Sequence, residues 1–264
     1  MRKAIRNGII INESEASLPL SLKSVQYSYS VYESVKLKNG QFVHLDEHLK
    51  RLRLSSSGVG MNLSYTDNEI TSWLLDLKAE ENLFNETFRI LVLGENPAWV
   101  YITHTENFVY PESYYTEGVA LSTYRGERFL PQLKTSNLLL SYMALKDAEK
   151  KNAFEALLVD GQGFITEGTR SNFYAIKNNR VYTAPDEKVL SGVTRTGVMK
   201  ALSDMGIPLI FESVKLEELS SYSSLFITAT SMRAIPVKSV DGVNVRTEDI
   251  KTVQKLSELL GEWE

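Results

Sequence analysis

Period-two stretches and helical stretches follow one another along this chain with no regular strand–helix–strand beat, which rules against a doubly wound parallel sheet and for α+β architecture. Residues 5–11 read as a strand with Asn7-Gly8 as a turn at its edge. Ser30–Lys38 alternates apolar and polar residues, Asn39-Gly40 offers a hairpin turn, and Gln41–His44 returns. Asp46 can cap a helix through about Ser56, and Thr66 or Asp67 a second through about Ala79. Residues 86–93 and 98–105 form another strand pair, and then periodicity stops. Residues 106–118 hold Asn107, Pro111, Glu112, Ser113 and Gly118 among several tyrosines. The sequence thus predicts a domain over 1–110, a linker over 111–117 and a second domain over 118–264.

Beyond the break, Ser136–Lys151 and Val193–Met205 read as helices. Ala156–Asp160, Asn172–Ile176, Arg180–Thr183, Pro208–Glu212, Leu225–Thr228 and Pro236–Val240 read as strands. A last amphipathic helix, capped by Thr247, carries Ile250, Val253, Leu256 and Leu259-Leu260. Two domains fit a chain of 264 residues with 43% hydrophobic and 23% charged residues.

The chain has no cysteine, so thiolate catalysis, disulfides and zinc-thiolate sites are excluded. Its three histidines, His44, His48 and His104, lack zinc-protease spacing, and no metal is expected. A net charge of −4 and a pI of about 5.6 give no broad positive field for nucleic acid or an anionic membrane. No run approaches a membrane span and no secretory leader is evident, so a cytoplasmic protein is expected. An anionic ligand must meet a local cluster of donors.

Four segments could supply chemistry, each with a bland reading beside it. In Leu45–Leu52, His48 and Arg51 share a helix face, and the arginine can fork onto a phosphate; a solvated charged helix looks the same. In Gln132–Asn137, Lys134 precedes helix-capping residue types and apolar residues; such a lysine can form a Schiff base, or simply be exposed. In Val159–Phe173, Glu167 sits in a small polar stretch before an apolar strand, either facing a ring nitrogen or at a hairpin surface. In Leu190–Gly197, Gly192 opens a helix whose Val193 and Thr194 amides are free to bind phosphate, as at many helix starts. Thr230 and Ser231 end a strand with two hydroxyls.

Taken in order, these segments resemble the class IV, fold type IV, pyridoxal-phosphate enzymes: branched-chain aminotransferases, D-amino-acid aminotransferases and 4-amino-4-deoxychorismate lyase. The resemblance runs from Asn7-Gly8 to Pro236-Val237. It is carried by Val31-Tyr32-Glu33, Glu47-His48-Leu49-Lys50-Arg51-Leu52, Lys134-Thr135-Ser136-Asn137, Thr166–Asn172 and Gly192-Val193-Thr194-Arg195. It implies a smaller N-terminal α/β domain, a larger C-terminal α/β pseudo-barrel domain, pyridoxal 5′-phosphate between them and a homodimer. By that resemblance Lys134 is the catalytic, cofactor-bearing lysine and Glu167 pairs with the pyridine nitrogen. Arg51, the Val193 and Thr194 amides and Thr230 bind phosphate. Tyr32, Arg89, Thr230 and Ser231 face the substrate.

Two departures bear on substrate. Tyr27-Ser28-Tyr29-Ser30 stands where many members have Tyr-Gly-Asp-Gly. Ala98 and Val100 stand where D-amino-acid aminotransferases have an Arg-x-His pair for the substrate carboxylate. The expectation is an aminotransferase for hydrophobic or branched-chain amino acids and a 2-keto acid. The alternatives are the lyase, a D-amino-acid aminotransferase and a non-catalytic cofactor-binding relative.

Overall fold

The computed structural model describes residues 2–264, which form two compact units. The N-terminal unit comprises residues 2–108 together with Leu133–Asn137; the C-terminal unit comprises Val109–Gln132 and Leu138–Glu264.

In the N-terminal unit the elements run β1 (Lys3–Arg6), β2 (Ile9–Asn12), α1 (Lys23–Gln26), β3 (Ser30–Lys38), β4 (Gln41–Phe42), α2 (Leu45–Gly58), α3 (Asp67–Glu80), β5 (Glu86–Leu93) and β6 (Trp99–Glu106). The strands make a sheet in the order β2-β1-β6-β5-β3-β4. Residues 5–11, read as one strand, are instead a hairpin, because Asn7 and Gly8 both take left-handed φ, +50° and +82°. Asn39 and Gly40 repeat the pattern at the next turn. Strand β3 alternates strictly, with Val31, Glu33, Val35 and Leu37 buried. Against that face pack Leu49 and Leu52 of α2 and Ile70, Leu74 and Leu77 of α3, which build one core with Phe88, Ile90 and Val92. Helix α3 starts in a Thr66–Glu69 capping box. Helix α2 is not capped by Asp46: His44, at φ +49°, ends the preceding turn, and Asp46 and Glu47 complement the first-turn amides as charges.

The C-terminal unit runs α4 (Glu112–Thr116), β7 (Val119–Arg125), α5 (Leu139–Lys150), β8 (Glu155–Val159), β9 (Phe164–Gly168), β10 (Asn172–Lys177), β11 (Arg180–Thr183), α6 (Val193–Asp204), β12 (Leu209–Phe211), β13 (Val214–Lys215), β14 (Ser224–Ala229), β15 (Arg233–Val240), β16 (Val243–Asn244) and α7 (Ile250–Trp263). Its sheet runs β12-β11-β10-β14-β15-β7-β8-β9-β13, and β9 also pairs with β10 through Glu167 and Asn172. That last pairing returns β9 to β10, so six strands close into a barrel-like ring with Glu167 at the closure. Residues 111–117 are not an open tether. They carry α4, and Tyr110, Tyr114 and Tyr115 pack onto the barrel core, with Tyr110 and Tyr114 edge-on to Phe154. Helix α5 starts at Leu139, three residues later than the sequence suggests, which leaves Thr135–Asn137 extended. Helix α7 follows Asp249 rather than Thr247. Among the described residues no helix is long and apolar enough to cross a membrane, and no cluster of acidic residues and histidines suits a metal ion.

Candidate active site

In the N-terminal unit, residues 133–137 run beside β3 and meet it through one isolated bridge. The Tyr32 amide donates to the Lys134 carbonyl at 3.0 Å, and the Ser136 amide to the Ser30 carbonyl at 2.9 Å. Val31 and Thr135 form an antiparallel bridge. On the other side the Lys134 amide donates to Ser55 Oγ of α2 at 3.0 Å. The Lys134 Nζ stands 4.6 Å from the Tyr32 ring centroid and the Arg89 guanidinium carbon 4.0 Å from it. Lys134, Tyr32 and Arg89, expected at the lysine chemistry and the substrate, are thus brought together.

Behind them lies a charged group fully inside the core. Glu33 Oε1 accepts from Arg51 Nε at 2.6 Å, and Oε2 accepts from an Arg51 Nη at 2.8 Å and from His48 Nδ1 at 2.8 Å. Burial raises the Glu33 pKa, but the Arg51 hydrogen bonds and charge, then His48 and the Lys134 charge, outweigh it and bring the carboxyl down to about 2. Burial, joined by the Arg51 and Lys134 charges, lowers the His48 pKa against the opposing pull of Glu33, and an ionised Glu33 takes the proton of a neutral imidazole from Nδ1. Arg51, expected at the phosphate, thus gives two of its N–H groups to Glu33. Glu33 was legible as an acidic residue at a core-facing position of an alternating strand.

The C-terminal unit holds Glu167 and the helix start at Gly192. Glu167 is buried at the end of β9; Oε1 accepts from Arg128 Nε at 2.6 Å and Oε2 from the Leu190 amide at 3.1 Å. Arg128 carried no signal in the sequence, since it lies in an aperiodic stretch between β7 and α5. Asn172, opposite Glu167, donates through Nδ2 to the Leu190 carbonyl at 3.0 Å. Glu167 and Asn172 so grip the segment that leads into α6. A Cβ on Gly192 would stand 2.7 Å from Asn172 Oδ1, which is why a glycine precedes this helix. Lacking a side chain, Gly192 cannot cap α6, and the Val193 and Thr194 amides have no intrahelical acceptor. The Thr194 hydroxyl meets that of Thr230 at 3.2 Å, although 36 residues separate them. Ser231 Oγ lies 3.4 Å from the Tyr110 hydroxyl. Arg195 donates to Thr183 Oγ1 at 3.0 Å and to the Ala184 carbonyl at 2.6 Å, and so ties the helix start to β11.

Beneath the Glu167 turn sits Glu155, fully buried, which accepts from the Arg170 amide at 2.7 Å and Thr169 Oγ1 at 3.0 Å. Burial pushes its carboxyl pKa up, only partly offset by Arg170 and these bonds. A Cβ on Gly168 would meet Ser171 Oγ and come within 2.6 Å of Glu155 Oε1.

The sequence pattern of the family described as amino-transferase class IV matches residues 30–240. The chain belongs to this family. Class IV aminotransferases depend on pyridoxal phosphate, and the protein is a pyridoxal-phosphate-dependent transaminase acting on an amino acid and a keto acid. It is 31% identical over 255 residues to D-alanine aminotransferase of Bacillus licheniformis, covering 92% of this chain and 90% of the relative. It is 29% identical over 268 residues to the Staphylococcus epidermidis D-alanine aminotransferase, with 97% and 95% covered. In fold this transaminase matches the branched-chain aminotransferase of the thermophilic archaeon Thermoproteus uzoniensis with norvaline, with a TM-score of 0.88 and 22% identity over 98% of this chain and 95% of that one. The Escherichia coli branched-chain enzyme matches with a TM-score of 0.88 and 21% identity over 96% and 92%. The fold is thus the α+β fold type IV. The residues present fit the cofactor: an amine beside an aromatic ring, a buried carboxylate with lone pairs to spare, and a helix start with a hydroxyl pair for a dianion.

Proposed function

We propose that this transaminase moves the amino group of a hydrophobic or branched-chain amino acid to a 2-keto acid, with Lys134 as the catalytic lysine. The seating of Lys134 carries the reading: its main chain is fixed on both sides and its Nζ is placed against Tyr32, with Arg89 on the same ring. When bound, the cofactor supplies the electron sink for the bond broken at the substrate α-carbon. Lys134 Nζ moves the proton at that carbon. Glu167 would pair with the ring nitrogen, where a carboxylate favours the protonated ring. Arg51, the Val193 and Thr194 amides and Thr230 hold the phosphate. Tyr32, Arg89, Thr230 and Ser231 line the substrate.

The preference for apolar substrates of L configuration is supported by Ala98 and Val100. Both are apolar and fully buried in the N-terminal core, so neither position offers a cation to a carboxylate. Similarity to D-alanine aminotransferases supports a second reading, a D-amino-acid enzyme. An amino-donor screen of purified holoenzyme tests both. The first reading expects 2-ketoglutarate-dependent glutamate formation from L-leucine, L-valine or L-isoleucine. Turnover confined to D-alanine would establish the second, and pyruvate release from aminodeoxychorismate without an acceptor would overturn both. The enzyme is further proposed to act as a homodimer, which sedimentation velocity of the holoenzyme tests.

A further inference from the structure

Helix α2 carries one polar face through an otherwise apolar contact. His48, Arg51 and Ser55 lie at i, i+3 and i+7 and are all buried. His48 and Arg51 are taken up by Glu33. Ser55, one turn beyond Arg51, uses its hydroxyl oxygen for a residue 79 positions away: it accepts the Lys134 amide at 3.0 Å. At the end of the same helix, Leu133 rests on the bare Cα of Gly58, where a Cβ would come within 2.7 Å of Leu133 Cδ1. The opposite edge of the lysine segment is held by the Tyr32 amide on the Lys134 carbonyl. The Lys134 main chain is therefore clamped between β3 and α2, and Ser55 is the side chain that completes the clamp.

From this arrangement we infer that Ser55 is a positioning residue for Lys134, setting where the amine stands relative to the Arg51 end of the same helix. This rests on the reading of Lys134 as the catalytic lysine. Aldehyde and phosphate arms occupy neighbouring carbons of the pyridine ring, so the amine and the phosphate donors must keep a fixed separation. A helix is stiff, and Arg51 and Ser55 sit on successive turns of one, about 6 Å apart along its axis. Removing the Ser55 hydroxyl leaves a main-chain N–H without its acceptor, and the segment is free to shift by the fraction of an ångström that proton transfer does not tolerate.

Ser56 provides a matched comparison. It is equally buried, but its hydroxyl donates to the Leu52 carbonyl of its own helix at 2.9 Å. Ser55→Ala is expected to lower kcat about tenfold with little change in KM, the scale of one lost main-chain hydrogen bond. It is also expected to shift the pH midpoint of the bound cofactor's visible absorbance, while Ser56→Ala moves neither. Ser55→Thr keeps the hydroxyl and should restore both; Ser55→Cys, nearly isosteric and a weaker acceptor, should fall between. A readout independent of cofactor is the pH profile of Lys134 acylation in the apoprotein, followed by peptide mass spectrometry, which Ser55→Ala should shift and Ser56→Ala should not. The inference is overturned if Ser55→Ala changes only thermal stability, or if the two alanine variants behave alike. If Lys134→Ala itself kept turnover, the assignment of the lysine would fail instead, so the two failures are distinguishable.

Discussion

Glu33 gives the sharpest test of how the core beneath Lys134 in the N-terminal unit is held. Its carboxylate has no exposed surface and takes three side-chain hydrogen bonds, two from Arg51 and one from His48. The usual value for this group is 4.5 and the folded value about 2. At about 1.36 kcal/mol per pH unit, that interval corresponds to about 3 kcal/mol of stability. Because the folded pKa is depressed, this stability is fully present above pH 4.5 and is lost as the pH falls towards 2. An independent route gives the same size: breaking a buried ion pair by removing one partner costs about 3–5 kcal/mol. Glu33→Gln should therefore destabilise the N-terminal unit of the apoprotein by about 3 kcal/mol at pH 7, and the gap should close towards pH 3. The assay is urea unfolding followed by fluorescence in a Trp263→Phe background, where the remaining tryptophans, Trp73 and Trp99, both belong to that unit. The double variant Glu33→Leu with Arg51→Met should recover most of the loss, since no buried charge is left behind. A loss under about 1 kcal/mol at pH 7, or a gap that stays constant down to pH 3, would refute the view that the Glu33 charge organises this core.

Other outcomes follow from the same geometry. Lys134→Ala should abolish turnover and the visible absorbance of bound cofactor; retention of either in the purified variant contradicts the assignment. Replacing both Thr194 and Thr230 by Val removes two hydroxyls from the helix start and should weaken pyridoxal-phosphate binding by about 1–3 kcal/mol, measured by fluorescence quenching of the apoprotein, whereas unchanged affinity would move the phosphate elsewhere. Glu155 has the opposite pH sense to Glu33: its folded pKa is raised, so its contribution is full below the ordinary 4.5 and lost as pH rises. Glu155→Gln should thus gain on the parent in thermal unfolding as the pH rises above the ordinary 4.5, and an amide variant that loses ground over that rise would contradict a carboxyl favoured in its neutral form.

The parts of the fold that local chemistry determines are visible in the amino-acid string. Asn39-Gly40 accepts left-handed φ at both positions and makes its hairpin, and the Thr66–Glu69 pair caps its helix. Where two local signals compete, reading fails. Residues 5–11 look like one strand because the apolar run continues through Asn7-Gly8, yet the same dipeptide turns the chain within it. The tyrosines of 110–115 look like a linker because nothing local says that Phe154, far along the chain, supplies their partner ring.

The site divides along the same line. The candidate residues are named by the sequence, and the hydroxyls of Thr194 and Thr230 do converge. What the string does not display is who holds them: Ser55 under Lys134, Arg128 beside Glu167, Asn172 against Gly192. Each of these supports acts at long sequence separation, through one hydrogen bond or one steric contact, and in a single sequence such a residue has no period, cap or spacing to mark it. Glu33 is the exception, because an acidic residue in register with Val31, Val35 and Leu37 must find a cation inside the core or leave the strand. An acidic side chain on the apolar face of an alternating strand is for that reason a usable signal that a buried cation lies opposite it, and here that cation is Arg51, on the helix that also seats the lysine.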